Sequence, residues 1–226
     1  MRILLLGHGR MGQLVESLAP AYGAMIAGVI DEHSGECAIA EGKYGPVDVA
    51  IDFTLADAVV KNLPQLAERK INVVIGTTGW QAQEASMRAI AGKAGIGVLA
   101  AANFSLGVNI FQLAVEEASR HFANHAEFGA WIHESHHVMK KDAPSGTALS
   151  LKRGMESAGY ARPIDVSSTR VGTVPGTHTV GFDGPSETIE FTHTVRDRAV
   201  FARGALAAAK WLVGKQGWFS IRDLLS

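Results

Sequence analysis

The amino-acid sequence predicts an α/β two-domain protein, the first domain built on a parallel sheet and the second, α+β, on a mixed, largely antiparallel sheet. Three observations lead there. Short, wholly apolar runs alternate with amphipathic stretches through residues 1–102, the pattern of strands buried on both faces and joined by crossover helices. The first run leads straight into a glycine-rich turn. Beyond Asn103 the pattern changes to longer helical stretches and a Thr-, Val- and Gly-rich region of alternating polarity, which suits strands with one covered face.

Taken in order, Ile3–Leu6 is a compact apolar strand, followed by glycines and a helix over Met11–Ala19. Met25–Ile30, Val47–Phe53 and Ile71–Ile75 read as the next three strands, and between the last two Val59, Val60, Leu63, Leu66 and Ala67 recur at helical spacing. A helix from Gln83 to Ala91 leads to a fifth strand over Gly97–Ala101. In the second domain Leu106–Ala123 reads as helix and Glu127–His133 as strand. A further helix starts near Ser145, where Pro144 and small residues precede Ala148, Leu149, Leu151 and Met155. Within Ile164–Arg198, the alternation of His178, Val180 and Phe182, then of Ile189, Phe191 and His193, about a Gly184-Pro185 turn is antiparallel strand material. Ala199–Gly214 is a last strong helix. The expected domains are 1–102 and 103–201, with 202–226 a C-terminal helix and return to the first, and a cleft between domains is the expected place for chemistry.

A chain of 226 residues can bury a core without disulfides, and its single cysteine, Cys37, permits no intrachain bridge. Cys37 reads as a small thiol without chemistry, and this cysteine usage fits a reducing, cytoplasmic compartment. Lys plus Arg number 21 against 22 Asp plus Glu, a formal net charge of -1, so nothing argues for a nucleic-acid or anionic-membrane partner. The apolar opening is too short for an export signal. The uncharged stretch Ala94–Val115 is interrupted by Gly95, Gly97, Asn103, Ser105 and Gly107, and reads as strand, turn and helix instead of a membrane span.

Gly7-His8-Gly9-Arg10-Met11-Gly12 satisfies G-x-G-x-x-G between a strand and a helix, the context in which that spacing cradles a dinucleotide in a Rossmann-type domain. Gly7 makes the tight turn, Gly9 admits the pyrophosphate to the backbone, and Gly12 lets helix and strand pack closely. The helix start at Arg10 and Met11 then faces the phosphates with N–H groups. Asp31 immediately follows the second strand, 24 residues after Gly7, in register to accept from an adenosine ribose. Glu32 and His33 follow it, with no Arg or Lys, and a carboxylate facing a free 2′-hydroxyl is favoured over one facing a 2′-phosphate. The expectation is NADH or NADPH with a lean toward NADH, since Arg10, His33 or Lys43 could still reach a phosphate. Gly76-Thr77-Thr78-Gly79 follows the fourth strand, at the sheet edge where such folds bind ligands.

His133-Glu134-Ser135-His136-His137 contains H-E-x-x-H, the zinc-hydrolase pattern. That chemistry needs a helix, and a strand with a rise of about 3.3 Å per residue holds the two imidazoles too far apart; no metal is expected. Read as polar equipment, the segment offers His136 and His137, the ammonium groups of Lys140 and Lys141, and Ser145-Gly146-Thr147 at a helix start, which is a carboxylate seat. A histidine can donate a proton while a lysine holds negative charge. The plainer alternative is that Ser145 and Thr147 only cap the helix.

The segment ESHHVMKKDAPSGTA, Glu134–Ala148, resembles the hallmark of the dihydrodipicolinate reductase family of the diaminopimelate route to lysine. GHGRMG at Gly7, IDFT at Ile51, GTTG at Gly76, AANFSLGVN from Ala101, HTVGF at His178 and THTVRDRAVFARGAL near the end are also similar to family segments, so the likeness spans nearly the whole chain. The resemblance implies that His136 is the proton donor with Lys140 assisting. It further implies that His137, Lys140, Ser145, Gly146 and Thr147 contact a small dicarboxylate substrate. Phe53, Gly76, Thr77, Thr78, Ala102, Asn103 and Phe104 then line the nicotinamide side, and a homotetramer forms through the second-domain sheets. Arg198 aligns with a family arginine near the cleft. The chain departs from the family at Asp31-Glu32, where many members carry an acid and an arginine, and at Thr177, where the family pattern has an acid.

Overall fold

Leu4 and Leu6 face one way along the first strand and Ile3 and Leu5 the other, and all four are buried, which requires helices on both sides of the sheet it belongs to. The computed structural model describes residues 1–34 and 38–226; Cys37, and with it the expectation of an inert thiol, lies outside the described residues. The chain divides into two units, Met1–Leu106 with Ala199–Ser226, and Gly107–Arg198. The division falls after Leu106 and Arg198, where the sequence reading put it after Ala102 and Phe201.

In the first unit β1 (Arg2–Leu6) is followed by α1 (Arg10–Leu18), β2 (Met25–Ile30), the single turn α2 (Ala38–Glu41), β3 (Val49–Asp52), α3 (Ala56–Glu68), β4 (Asn72–Ile75), α4 (Glu84–Ala94) and β5 (Gly97–Ala100). The C-terminal segment adds α7 (Ala199–Leu212), β10 (Gly217–Phe219) and α8 (Ile221–Leu225). The strands form one parallel sheet in the order β10-β5-β4-β3-β1-β2. Successive strands are thus added on one side of β1 and then on the other, and the crevice between the ends of β1 and β3 is the switch point where such sheets bind ligands. Ile3, Leu5, Val49 and Ile51 pack with Val15 of α1 and with Ala205, Leu206 and Ala209 of α7, whereas Leu4, Leu6, Ala50 and Val73 pack with Val59 and Leu63 of α3 and Met87 of α4. Double burial is what makes these strands read as unbroken apolar runs. The edge strand β10, Gly-Trp-Phe, was not anticipated: three residues carry too little pattern to register.

The second unit holds α5 (whose range, Leu106–Phe122, starts at the boundary), β6 (Gly129–His136), α6 (Gly146–Ser157), β7 (Ile164–Arg170), β8 (Thr177–Asp183) and β9 (Thr188–Thr194). Its strands form a sheet in the order β7-β6-β8-β9. β6 with β8, and β8 with β9, are antiparallel, but β7 runs parallel to β6. This corrects the reading of everything after Ile164 as antiparallel: α6 carries the chain back to the starting end before β7 begins, as crossover connections do. β6 also runs on to His136, past the expected end at His133, because both neighbouring ladders continue to pair with it. Phe111, Val115, Leu151 and Met155 cover one face of this sheet over Ile132, Val180 and Phe182. On the other face Trp131 lies across Gly181, where an added Cβ would come within 2.2 Å of the indole.

Candidate active site

Strand register builds the site in the second unit. Side chains alternate across a sheet, so Glu134 and His136 share the inner face of β6. Pairing sets Glu134 beside Ser168 of β7 and His178 of β8, and sets His136 beside Arg170. Glu134 is fully buried. Its Oε1 accepts from Arg170 Nη2 at 2.8 Å and from the Ser145 backbone N–H at 3.2 Å. Its Oε2 accepts from Arg170 Nη1 at 3.0 Å and meets His136 Nδ1 in a short contact. Burial alone would raise the Glu134 carboxyl, but hydrogen bonds from Arg170, Ser168 and His136 outweigh it and hold the group at about 2.

His178 packs edge-on against His136, ring centroids 5.1 Å apart, and its Nε2 lies 2.8 Å from Ser145 Oγ. Burial first, then the charge on His136, push His178 down to about 4, so it is neutral at physiological pH. Ser145 is the N-cap of α6: its Oγ accepts from the Ala148 N–H at 3.1 Å. With that hydroxyl committed and Ser145 2% exposed, the accessible part of the α6 start is Gly146 and Thr147, and a Cβ added to Gly146 would meet nothing within 4 Å. Lys140 Nζ reaches both oxygens of Asp142, at 2.7 and 2.8 Å, and holds that carboxyl below its usual range. Arg170 Nη2 also donates to the Asp142 carbonyl at 2.6 Å, which ties the Lys140–Asp142 loop to the Glu134 carboxylate. His137 is half-buried at the loop's start, and Arg198 is exposed.

The H-E-x-x-H histidines do not converge. His133 is on the outer face of β6, Nδ1 2.9 Å from Ser167 Oγ, and His137 follows the strand's end. Ligand atoms of Glu134, His136 and His178 do lie within 4.8 Å of one another, yet the Arg170 fork already occupies both carboxylate oxygens with positive charge. Glu134, Arg170 and His178 were missed as site residues by sequence reasoning. Glu134 left a trace in the H-E-x-x-H pattern and at the head of the hallmark, and His178 in the alternation that marks it as inward-facing, whereas Arg170 left none.

The glycine turn forms a separate site at the switch point of the first unit. Gly7 has φ +85°, and a Cβ there would sit 2.7 Å from the Phe53 carbonyl oxygen; at Gly12 it would sit 2.2 Å from the Gly7 oxygen. Gly9 in contrast faces open space, and no side chain caps α1, so the backbone at Arg10 and Met11 suits a diphosphate. A cavity of about 900 Å³ is lined by Gly7, Gly9, Asp31, Phe53 and Thr54, with Lys61 among its other walls. Asp31 Oδ1 accepts from the His33 N–H and the Ser34 hydroxyl, both at 3.0 Å, and these bonds hold the carboxyl below its usual range. Lys43 pairs with Glu41 at 2.8 Å.

The remaining predicted cofactor residues are dispersed. Thr77 and Ala102 border a second cavity of about 420 Å³ beside Trp80 and Trp218, and Thr78 is exposed. Phe104 is buried, edge-on to Phe53 at 6.2 Å, and Asn103 Oδ1 accepts from the Ser105 N–H. Gly76 is pressed against the Phe53 ring, 2.1 Å from where its Cβ would be. Thr77 Oγ1 turns inward to the buried Asp52, which also accepts from Thr54 and Asn62, so one carboxylate ties the loops after β3 and β4 together.

Family models described as dihydrodipicolinate reductase, N-terminus and C-terminus, match residues 1–104 and 107–225. The chain belongs to the dihydrodipicolinate reductase family. Among relatives named 4-hydroxy-tetrahydrodipicolinate reductase, one from Christiangramia forsetii is 35% identical over 237 residues, spanning 100% of this chain and 98% of its own. One from Archaeoglobus fulgidus is 38% identical over 262 residues, spanning 100% of both. A solved dipicolinate-bound dihydrodipicolinate reductase from Paenisporosarcina sp. TG-14 shares the fold, with a TM-score of 0.83 over 97% of each chain at 19% identity. Family membership and fold thus agree, and the hallmark Glu134–Ala148 is the stretch that carries the Glu134, His136, Lys140 and Ser145 geometry.

Proposed function

We propose that the chain reduces 4-hydroxy-2,3,4,5-tetrahydrodipicolinate to 2,3,4,5-tetrahydrodipicolinate in diaminopimelate and lysine synthesis. The observation that carries this reading is an imidazole held by a buried carboxylate that Arg170 ties to the Lys140–Asp142 loop and that accepts from the start of an accessible helix, in a chain matched along both halves by one reductase family. A nicotinamide dinucleotide bound at the glycine turn supplies the hydride. Its fit rests on the open face of Gly9 and the uncapped start of α1. Asp31 and Glu32 favour a free ribose hydroxyl and hence NADH, while Lys61 on the same cavity gives reason to measure NADPH as well.

The substrate carries two carboxylates. Gly146, Thr147 and the α6 dipole seat one, and Lys140 and His137 receive the other, with Asp142 competing for Lys140 until substrate arrives. The ring C4–O bond breaks and the hydroxyl leaves as water, the hydride forms the new C–H bond, and His136 supplies the proton that balances the reduction as the ring electrons reorganise, while Lys140 offsets negative charge. The dipicolinate bound to the Paenisporosarcina protein supports a ring dicarboxylate as ligand. The helix-free face of the second sheet, with Trp131 and the Thr179–Thr192 pair, supports assembly into a homotetramer.

The test generates the substrate enzymatically and follows oxidation of NADH and NADPH separately. Turnover with at least one, fastest with NADH, is the expected result, and absence of turnover with both overturns the reading. His136→Ala is expected to lower kcat by about 10²-fold or more with dinucleotide binding intact; full kcat in that variant removes His136 from the proton step.

A further inference from the structure

Resting on that reading, in which His136 handles the proton, we propose that Glu134 and Arg170 are positioning residues for this step. Together they hold His136 in the tautomer that carries its hydrogen on Nδ1, which leaves Nε2 as the nitrogen that gives and takes the proton.

Each oxygen of Glu134 already receives one arm of the Arg170 guanidinium, and Oε1 also receives the Ser145 N–H. A group so bonded is ionised throughout the neutral range and can only accept. His136 Nδ1 contacts Oε2, so Nδ1 must carry a hydrogen, and in the neutral ring the lone pair is on Nε2. Arg170 does more than neutralise charge. Its planar fork fixes the carboxylate plane, so Oε2 points along β6 to the side chain two residues on. A glycine leaves room beside the Nε2 end of the ring: a Cβ on Gly176, where φ is +153°, would stand 2.9 Å from Nε2. When Nε2 gives up its proton, the hydrogen left on Nδ1 still faces an anion, and the ring need not reorganise.

Glu134→Gln separates this role from simple packing. An amide has one acceptor and one donor end. Arg170 claims the oxygen, so the NH₂ faces Nδ1, which must then accept, and the hydrogen moves to Nε2. ¹⁵N NMR of imidazole-labelled full chain, with His136 assigned by comparison with His136→Asn, reads the tautomer directly and needs no substrate. The expected result is Nδ1–H in the native chain and Nε2–H in Glu134→Gln, with kcat lower by about 10²-fold and the KM for dinucleotide unchanged. Arg170→Lys, which keeps the charge but loses the fork, is expected to keep the Nδ1–H tautomer and to lower kcat by less, and it carries the test if Glu134→Gln does not fold. The proposal is overturned if native His136 carries its hydrogen on Nε2, or if the variants lose only thermal stability while tautomer and kcat stay as in the native chain. A tautomer switch between the native chain and Glu134→Gln, found together with no turnover by the native chain, upholds the positioning and overturns the assigned substrate instead.

Discussion

Glu134 and His178 face each other across neighbouring strands, and both titrate below their ordinary values for different reasons. Burial opposes ionisation of Glu134 but is outweighed by Arg170 and its other partners, so the carboxyl sits at about 2 against an ordinary 4.5. It contributes stability that is present above 4.5 and is lost as pH falls toward 2. His178 is pushed from 6.5 to about 4 by burial and by His136. Its neutral form suits the fold, so its contribution is present above 6.5 and is lost as pH falls toward 4, at up to about 1.4 kcal/mol per pH unit. Urea midpoints measured from pH 7 downward should therefore fall in two overlapping stages. His178→Gln is expected to flatten the stage between 6.5 and 4, and an unchanged slope there would show that another group titrates. Sequence alone could not foresee this, because an isolated histidine in an alternating stretch does not reveal its neighbours.

Among the elements, α7 shows how closely this fold packs. Ala202, Ala205, Ala208 and Ala209 are buried along it, and small residues at helical spacing let its axis approach the sheet. Gly204 is the tightest point: a Cβ there would lie 1.6 Å from the Phe104 carbonyl oxygen. Gly204→Ala is expected to cost about 1–3 kcal/mol through backbone displacement, read as a lower urea midpoint at constant slope. Gly92, in α4, is a matched control, since a Cβ there meets nothing within 4 Å. Gly92→Ala should stabilise by about 0.5–1 kcal/mol; an equal gain in Gly204→Ala would show that helix propensity decides at both positions and that the close approach to Phe104 costs nothing. The α7 helix was legible from its apolar periodicity, whereas the contact made by Gly204 was not. The β5, α5 and α6 boundaries were likewise close to their sequence positions, but the parallel pairing of β7 depended on α6 reversing the chain.

At the scale of the whole chain, the first unit is discontinuous: its core is completed by residues after Ala199, on the far side of the second unit in sequence. Among the described residues of the second unit, α5 and α6 cover one face of its sheet, and assembly through the other face is proposed. Light scattering of the purified chain should give the mass of four copies, and Trp131→Glu, which puts a charge on that face, should lower it. A native chain that scatters as a monomer excludes the assembly. No helix among the described residues is long and apolar enough to cross a membrane.

Local sequence by itself determined the alternation of strands and helices, the glycine turn with its need for small residues, and the hallmark from Glu134 to Ala148. Each is set by residues close together in the chain, where periodicity and backbone freedom act directly. Only the tertiary structure decided that Arg170, 36 residues away, would clamp Glu134, and that Ser145, 33 residues from His178, would share a hydrogen bond with it. The first meeting follows from strand register, a property of paired strands which no single strand contains, and the second from the packing of α6 on the sheet.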